Sequence, residues 1–220
     1  MNRLIKVATC LSMVTLLVAC QKKYHVSEGY FEHYTNKCYE FIDNLEKDKG
    51  ADIVFVGDSI TDWCPLSTYY PEYKVANRGI AGDTTTGLLD RMDFSVYDLE
   101  GKVYYLMIGI NNIGNVMDNY EEILKGMKKH ISHNRIIIAS ILPVTWEDRN
   151  ALVIEANPKI KALAEKYNYT FLDLYTPMSL ENDHSKINES LFGDGLHPNA
   201  AGYEVMTSYI KPVVKSFLGK

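Results

Sequence analysis

The sequence predicts a single α/β domain in which helices cover both faces of a five-stranded parallel sheet, giving a three-layer sandwich. Five short apolar runs recur between residues 50 and 220, and amphipathic stretches separate them. Continuous apolar runs are typical of strands buried on both faces, and alternation of strands with helices is typical of a parallel sheet. No Pro-rich linker or low-complexity tract divides this region, so we expect one domain.

The predicted elements alternate along the chain. Strands are expected at the apolar runs, which cover residues 52–57, 73–77, 102–108, 135–142 and 170–174. Helices are expected at the amphipathic stretches, which cover residues 84–92, 118–133, 150–167 and 199–217. An earlier stretch, 28–49, has apolar and aromatic residues at spacings of three and four, which predicts a further helix before the first strand. Ligands of such sheets bind beyond the carboxyl ends of the strands, so the chemistry is expected in those loops.

The composition and charge of the chain indicate which kinds of partner and cofactor to expect. The chain has 220 residues and a formal charge of −5, and no block of Lys and Arg is interleaved with aromatic residues. This composition is typical of a globular protein and gives no indication of a nucleic-acid partner. No H-E-x-x-H or paired C-x-x-C pattern is present, so we expect neither a metal nor another cofactor.

The first twenty residues differ from the rest. Arg3 and Lys6 precede an apolar and small-residue run, 7–19, that ends at Cys20. This order is typical of a secretory signal, and the run is short for a membrane span. Its last residues, LVAC, resemble a bacterial lipobox, so we expect an exported lipoprotein anchored through Cys20 in the bacterial periplasm or at the cell surface. A plain secretory signal cleaved elsewhere, or a short membrane anchor, is the alternative. The chain is divided accordingly into signal peptide, tether with helix, and main domain: 1–20, 21–49 and 50–220.

Four short motifs fall at predicted strand ends or in the last turn. They read VGDSIT around Ser59, NRGIAGDTT around Gly82, IGINNIG around Asn111, and DGLHPN with Asp194 and His197. Each has an ordinary interpretation, because Asp, Ser and Thr cap helices, Asn and Gly form turns, and D-x-x-H also occurs in metal sites. Each also has a chemical one, because a Ser after a strand can be a nucleophile and a nearby carboxylate can orient an imidazole.

The order of the four motifs resembles that of the SGNH (GDSL-like) hydrolase family, whose fold is flavodoxin-like. The resemblance covers residues 50–218. The residues of NRGIAGDTT and GINN are similar to those in the branch of the platelet-activating-factor acetylhydrolases, which also contains bacterial esterases. Many members have Asp after the Asn of the third motif, where this chain has Asn112. We expect this position to be structural.

The resemblance implies a carboxylic ester hydrolase that works without a cofactor. Ser59 would attack the ester carbonyl, and His197 would take the Ser59 proton and return it to the leaving alcohol. Asp194 would orient His197. The backbone N–H groups of Ser59 and Gly82 and the side-chain amide of Asn111 would hold the oxyanion. The order in which these residues occur therefore predicts the catalytic set.

Further residues near the motifs are candidates for substrate binding. Asp62 and Trp63 could line the acyl or alcohol pocket, and Trp146 could stack on a sugar. Ordinary burial is the alternative for both tryptophans, because aromatic side chains contribute large buried areas. Arg78 could contact substrate or brace its loop. For the other histidines, His33 among them, we expect surface or packing roles.

The implied reaction is hydrolysis of small-acyl esters, acetyl esters in particular, carried by a small molecule or a glycan. Lysophospholipase or thioesterase chemistry within the same family is an alternative. A non-catalytic carbohydrate-binding lipoprotein and a structural envelope lipoprotein are others, although neither needs all five motif residues. Cys38 and Cys64 could form a disulfide in an exported chain or remain free.

Overall fold

The computed structural model describes residues 28–219. The predicted signal peptide and the lipobox Cys20 lie outside the described residues. Within this range, none of the helices is both long and apolar enough to cross a membrane.

A five-stranded parallel sheet forms the centre of the fold. Its strands, β1 to β5 in chain order, are Ile53–Gly57, Val75–Gly79, Val103–Met107, Ile136–Ala139 and Thr170–Leu172. Their order across the sheet is β2-β1-β3-β4-β5, with every neighbouring pair parallel. Ile53 pairs with Val75 on one side and Val103 on the other, so the carboxyl ends of β2, β1 and β3 lie level. The predicted α/β fold is confirmed.

Helices flank the sheet on both faces. The α-helices, α1 to α9 in chain order, are Glu28–Asp43, Leu45–Asp48, Ser59–Asp62, Leu66–Tyr69, Thr85–Ser95, Met117–His130, Glu147–Lys166, Tyr175–Met178 and Ala200–Leu218. Short 3-10 helices occur at Tyr97–Leu99, Ile110–Asn115 and Glu189–Leu191. A small antiparallel pair, β6 and β7, is formed by Ser179–Leu180 and Asp183–Ile187.

Alternation along the strands separates two hydrophobic layers. Val54 of β1 packs in the layer that contains Leu88 of α5 and Ile123 of α6. Ile53, one residue earlier, packs in the opposite layer with Met206 of α9. Successive side chains of a strand point to opposite faces, so a strand that is apolar throughout is covered on both sides. The long apolar runs of the sequence therefore correspond to central strands.

Two predicted elements differ from the structure. The second strand was expected at 73–77 and lies two residues further on, so that Asn77, Arg78 and Gly79 belong to β2. β2 is an edge strand and its polar side chains find partners, which is why the apolar pattern there is weak. The helix expected at 28–49 is divided into α1 and α2 at Asn44, where a ψ of 0° departs from helical geometry.

Helix α1 packs beside the loop that follows β2. Tyr34, Cys38 and Phe41 of α1 form a separate buried cluster with Ile80 of that loop. The Tyr34 hydroxyl also donates a hydrogen bond to the backbone carbonyl of Gly87 in α5, at 2.8 Å. These contacts fix α1 against the carboxyl edge of the sheet.

The two cysteines of the described region are free thiols. Cys38 lies in the buried cluster of α1, whereas Cys64 packs against the layer that contains α9. Burial raises the pKa of each thiol to about 12, so both are protonated at neutral pH.

A buried ion pair joins β1, β2 and the loop that follows β2. The Arg91 guanidinium of α5 lies 2.9 Å from the Asp83 carboxylate, and neither side chain is exposed. Its Nη2 donates to the backbone carbonyl of Arg78 at 2.9 Å and to that of Gly57 at 3.2 Å. One guanidinium thereby holds the ends of two strands and the start of α5 at a fixed separation.

Candidate active site

Three of the four motifs meet at the carboxyl edge of the sheet. Ser59 follows β1, the loop with Gly82 follows β2, and Asn111 follows β3. Because β1 lies between β2 and β3, the loops that carry Gly82 and Asn111 flank the one that carries Ser59. The strand order therefore explains why residues distant in sequence converge here.

A hydrogen-bonded relay links Ser59 to the fourth motif. The Oγ atom of Ser59 lies 2.9 Å from Nε2 of His197, and Nδ1 of His197 lies 2.7 Å from Oδ2 of Asp194. The other oxygen of Asp194 accepts a hydrogen bond from the backbone N–H of His197 at 2.8 Å. Hydrogen bonds from the side chain and backbone of His197 lower the pKa of Asp194 to about 2. The carboxylate is therefore ionised at neutral pH and can stabilise an imidazolium.

The turn that carries Asp194 and His197 is held from three sides. Gly195 has a φ of +80°, a conformation that glycine adopts without strain, and its carbonyl accepts from the Thr145 N–H at 3.0 Å. Asn199 caps α9 by accepting from the Gly202 N–H at 3.1 Å. The Tyr203 hydroxyl of α9 donates to the carbonyl of Ile60 at 2.9 Å.

That last bond connects α9 directly to the turn that carries the serine. The helix that follows the histidine and the turn that follows the serine are thereby fixed to each other.

The loops that flank Ser59 are tied to each other. Gly82 has a φ of +80°, and a Cβ added to it would come within 2.5 Å of the Tyr30 ring. The side-chain amide of Asn111 donates to the backbone carbonyl of Asp83 at 2.9 Å. An amide nitrogen carries two hydrogens, so Asn111 has a second N–H besides the one used here. The Asn111 side chain therefore has a defined position next to the Gly82 loop.

The neighbouring Asn112 contacts the start of α5. Its Oδ1 accepts from the backbone N–H of Thr85 at 3.2 Å, and its Nδ2 donates to the Thr85 hydroxyl at 2.8 Å. Both ends of its amide are engaged in structural contacts, in agreement with the expectation for this position.

Asp58 places a buried carboxyl directly before Ser59. Its side chain is 1% exposed and accepts from the backbone N–H of Ile60 at 3.1 Å. Burial raises the pKa of Asp58 to about 7, although backbone hydrogen bonds from Ile60 and Gly109 favour the ionised form. This shift cannot be predicted from the sequence, because an Asp before a Ser is also typical of a helix cap.

Trp63 lies at the rim of the site, and Trp146 lies next in sequence to a residue that contacts the turn of His197. The Trp63 ring is 4.4 Å from the His197 ring, centroid to centroid, and the residue is 55% exposed. Trp146 is 48% exposed, with the Arg149 guanidinium 5.6 Å from its ring centroid. It follows Thr145, which hydrogen-bonds the turn that carries His197. Both exposed aromatic surfaces are therefore open to a ligand, whereas ordinary burial would have covered them.

Asp62 does not line a pocket as the sequence suggested. Its side chain is 7% exposed and lies between α1 and the Gly82 loop. Oδ2 is 3.0 Å from Nε2 of His33 and accepts from the Ala81 N–H at 2.9 Å, while Oδ1 is 3.1 Å from Nζ of Lys37. The carboxylate is fully engaged by these partners. Sequence reasoning missed His33 and Lys37, although their spacing of four residues places them on one face of a helix.

Arg78 is likewise a structural residue and not a substrate contact. Its side chain is 2% exposed, its Nε donates to the carbonyl of Ser95 at 2.9 Å, and its Nη1 lies 2.8 Å from Asp48. A guanidinium buried in this way braces β2 against α2 and α5. Of the two roles considered for Arg78, bracing is the one that the contacts support.

The described part of the chain contains no group of three His, Cys, Asp or Glu side chains arranged to hold a metal ion.

The sheet and the Ser–His–Asp arrangement at its carboxyl edge are those of an α/β serine hydrolase. Residues 55–205 match the GDSL-like lipase/acylhydrolase family. Because the match covers more than half of the chain, the protein belongs to this family and is a carboxylic ester hydrolase. The family expected from the four motifs is confirmed.

Solved structures of low sequence identity share the fold. A GDSL-like lipase from Bacteroides thetaiotaomicron VPI-5482 is 22% identical, with a TM-score of 0.67 over 83% of this chain and 97% of its own. A protein assigned as a platelet activating factor from Streptococcus pneumoniae is 22% identical, with a TM-score of 0.68 over 92% and 99%. An acetylxylan esterase from Geobacillus stearothermophilus is 20% identical, with a TM-score of 0.62 over 76% and 94%.

One curated relative is longer than this chain. The N-acylneuraminate cytidylyltransferase of Escherichia coli O18:K1:H7 is 24% identical over 211 residues, which is 89% of this chain. The match covers 47% of that protein, so the chain spans about half the length of the curated relative.

Burial of Asp58 predicts a pH-dependent loss of stability. The pKa in the folded state, about 7, exceeds the ordinary 3.8, so between these values the folded state binds more protons than the unfolded one. Stability therefore falls as pH rises through this window. Between about pH 5 and about pH 8, the free energy of unfolding should fall more for the wild type than for Asp58→Asn, which cannot ionise.

Urea unfolding of the wild type and of Asp58→Asn at the two pH values measures this difference. Asp83, another buried carboxyl, is present in both proteins, so its titration does not contribute to the difference. Equal pH dependence would show that Asp58 is not the group that titrates.

Proposed function

We propose that the protein hydrolyses small-acyl esters, acetyl esters in particular, through an acyl-enzyme formed on Ser59. The observation that carries the proposal is the relay from Ser59 through His197 to Asp194, with separations of 2.9 and 2.7 Å. Both distances are within hydrogen-bond reach, which is the geometry that a nucleophile and its base require.

In the first half-reaction His197 removes the proton of Ser59 while Oγ attacks the ester carbonyl. The resulting imidazolium is stabilised by the ionised Asp194, and it then protonates the leaving alkoxide. In the second half-reaction water replaces the alcohol, and His197 again acts as the base. The products are the free acid and the regenerated serine.

The tetrahedral intermediate carries a negative oxygen that needs donors. We assign this role to the backbone N–H groups of Ser59 and Gly82 and to the second N–H of the Asn111 amide. The bond from Asn111 to the carbonyl of Asp83 supports the assignment, because it fixes the amide next to the Gly82 loop before any substrate arrives. Preorganised donors of this kind are often the largest single contribution to catalysis.

The alcohol part of the substrate is proposed to be a sugar. Trp63 presents an exposed face beside His197, the residue that protonates the leaving alcohol, and Trp146 presents another near the same turn. An exposed aromatic face can pack against the apolar side of a sugar ring. The fold is shared with an acetylxylan esterase, and that likeness supports the same class of substrate here.

Replacement of the nucleophile should abolish turnover. Ser59→Ala should fold normally and hydrolyse p-nitrophenyl acetate at least about a thousandfold more slowly, because the hydroxyl that forms the acyl-enzyme is removed. The wild type should hydrolyse the acetyl ester fastest in a series from acetyl to decanoyl. Ser208→Ala, on the exposed face of α9, is the matched control and should keep full activity.

The same series separates the alternatives. Preference for long acyl chains would move the substrate to lipid esters and leave the catalytic set in place. A folded wild type that hydrolyses no ester would favour the carbohydrate-binding lipoprotein. Substantial turnover by Ser59→Ala would rule out this nucleophile.

Removal of the Asn111 amide should slow the chemical step. Asn111→Ala should raise the barrier by about 2.7–4 kcal/mol, with KM little changed, if the amide stabilises the oxyanion only in the transition state. Asn119→Ala is the matched control, because Asn119 also donates to the α5 region, at 2.8 Å from the Thr86 hydroxyl. A kcat close to wild type for Asn111→Ala would make Asn111 a turn residue.

We further propose that Cys20 carries a lipid anchor. The proposal rests on the signal-like order of residues 1–19 and on LVAC as a lipobox. Cys20→Ser should move the protein from the membrane fraction to the soluble fraction and abolish lipid labelling, whereas Cys10→Ser should change neither. Continued labelling of Cys20→Ser would contradict the anchor.

A further inference from the structure

Helix α1 lies outside the family match, which begins at residue 55, and yet it contacts a loop of the active site. We propose that α1 positions the Gly82 loop for catalysis and that the Asp62 carboxylate transmits this effect. His33, Lys37 and Asp62 are positioning residues in this proposal, since none of them reaches the reacting atoms. The inference rests on the proposed function, in which the Gly82 N–H holds the oxyanion.

The Asp62 side chain is shared between α1 and the loop. Oδ2 accepts from the backbone N–H of Ala81, the residue before Gly82, at 2.9 Å. The same oxygen lies 3.0 Å from the imidazole of His33, and Oδ1 lies 3.1 Å from the ammonium of Lys37. Asp62 itself ends the turn that begins at Ser59, so one side chain joins the nucleophile turn, the oxyanion loop and α1.

Helix α1 also holds the Gly82 loop through packing contacts. The Tyr30 ring of α1 occupies the place that a side chain at position 82 would take. Ile80, two residues before Gly82, is buried in the cluster with Phe41 of α1. The loop is therefore held by α1 at Ile80 through packing, at Ala81 through Asp62, and at Gly82 through an aromatic ring.

Burial makes the contact at Asp62 sensitive to its partners. The Asp62 side chain is 7% exposed and the Lys37 side chain 16% exposed, so the carboxylate depends on protein groups for compensation. A buried carboxylate that loses its cation is costly and moves toward water. Such a movement would take the hydrogen bond to Ala81 with it and displace the adjacent N–H of Gly82. Misplacement of a catalytic group by about 1 Å can cost about 100-fold in rate.

The experiment uses the full chain and compares two lysines that each pair with a glutamate three residues away on the same helix. Lys37 pairs with Glu40 and with Asp62, whereas Lys125 pairs with Glu122, also three residues away, and has no contact with the site. Lys37→Met combined with His33→Ala should lower kcat for p-nitrophenyl acetate by about 10- to 100-fold with KM little changed.

Lys125→Met should leave kcat and KM unchanged. Lys37→Arg, which keeps a cation beside Asp62, should retain most of the wild-type activity. Thermal unfolding of each variant establishes that it is folded at the assay temperature. Should the double variant not fold, Asp62→Asn takes its place, because it removes the charge without leaving a buried carboxylate uncompensated. It is expected to lower kcat to a similar extent.

An unchanged kcat in the folded α1 variants would overturn the inference. If the wild type is active and Ser59→Ala is not, that result leaves the proposed function standing. An inactive wild type would overturn the proposed function and the inference with it. Equal losses of activity in the double variant of Lys37 and His33 and in Lys125→Met would also overturn the inference, because the effect would then not depend on Asp62.

Discussion

The buried pair of Arg91 and Asp83 is the constraint on which the rest of the site depends. Its guanidinium holds the last carbonyl of β1 and one from β2, and the residue that carries its carboxylate accepts a hydrogen bond from Asn111. The ion pair therefore contacts the ends of β1 and β2 and, through Asn111, the loop that follows β3. Loss of one partner from such a pair typically costs about 3–5 kcal/mol, because the other charge stays buried. The same rigidity fixes the proposed oxyanion donors before substrate binds.

The site combines one locally determined part with one that depends on the whole fold. The turn with Asp194 and His197 is closed by hydrogen bonds between those two residues, and its long-range contacts include Ser59 and Thr145. The loop around Gly82 contains one internal turn bond, from the Asp83 N–H to the Ile80 carbonyl at 3.0 Å, and its position is set by contacts with Asp62, Arg91 and Tyr30. Substitutions distant in sequence are therefore expected to disturb the proposed oxyanion loop more than the turn that carries His197.

The sequence predicted what short patterns can encode. The apolar runs of β1 and β3 identified the central strands, and the motif order identified the family and the residues of the relay. It could not predict contacts between distant polar residues. Arg91 has the appearance of a surface residue in an amphipathic helix, and Asp62 that of a pocket residue next to the serine. Their partners lie 8 and 29 residues away, and only the fold brings them together. For the same reason, the sequence does not decide whether Arg78 contacts substrate or braces its loop.

Together with the proposed lipid on Cys20, the position of α1 would limit where the enzyme can work. Cys20 and Glu28, the first residue of α1, are eight positions apart, and a fully extended chain of that length reaches at most about 30 Å. Tyr30, two residues further on, already touches the Gly82 loop. With a lipid on Cys20, as proposed above, the mouth of the site is confined to a layer a few nanometres deep above the bilayer. Polymers bound farther out in the envelope would have to bend inward, or be cut first, to be deacylated.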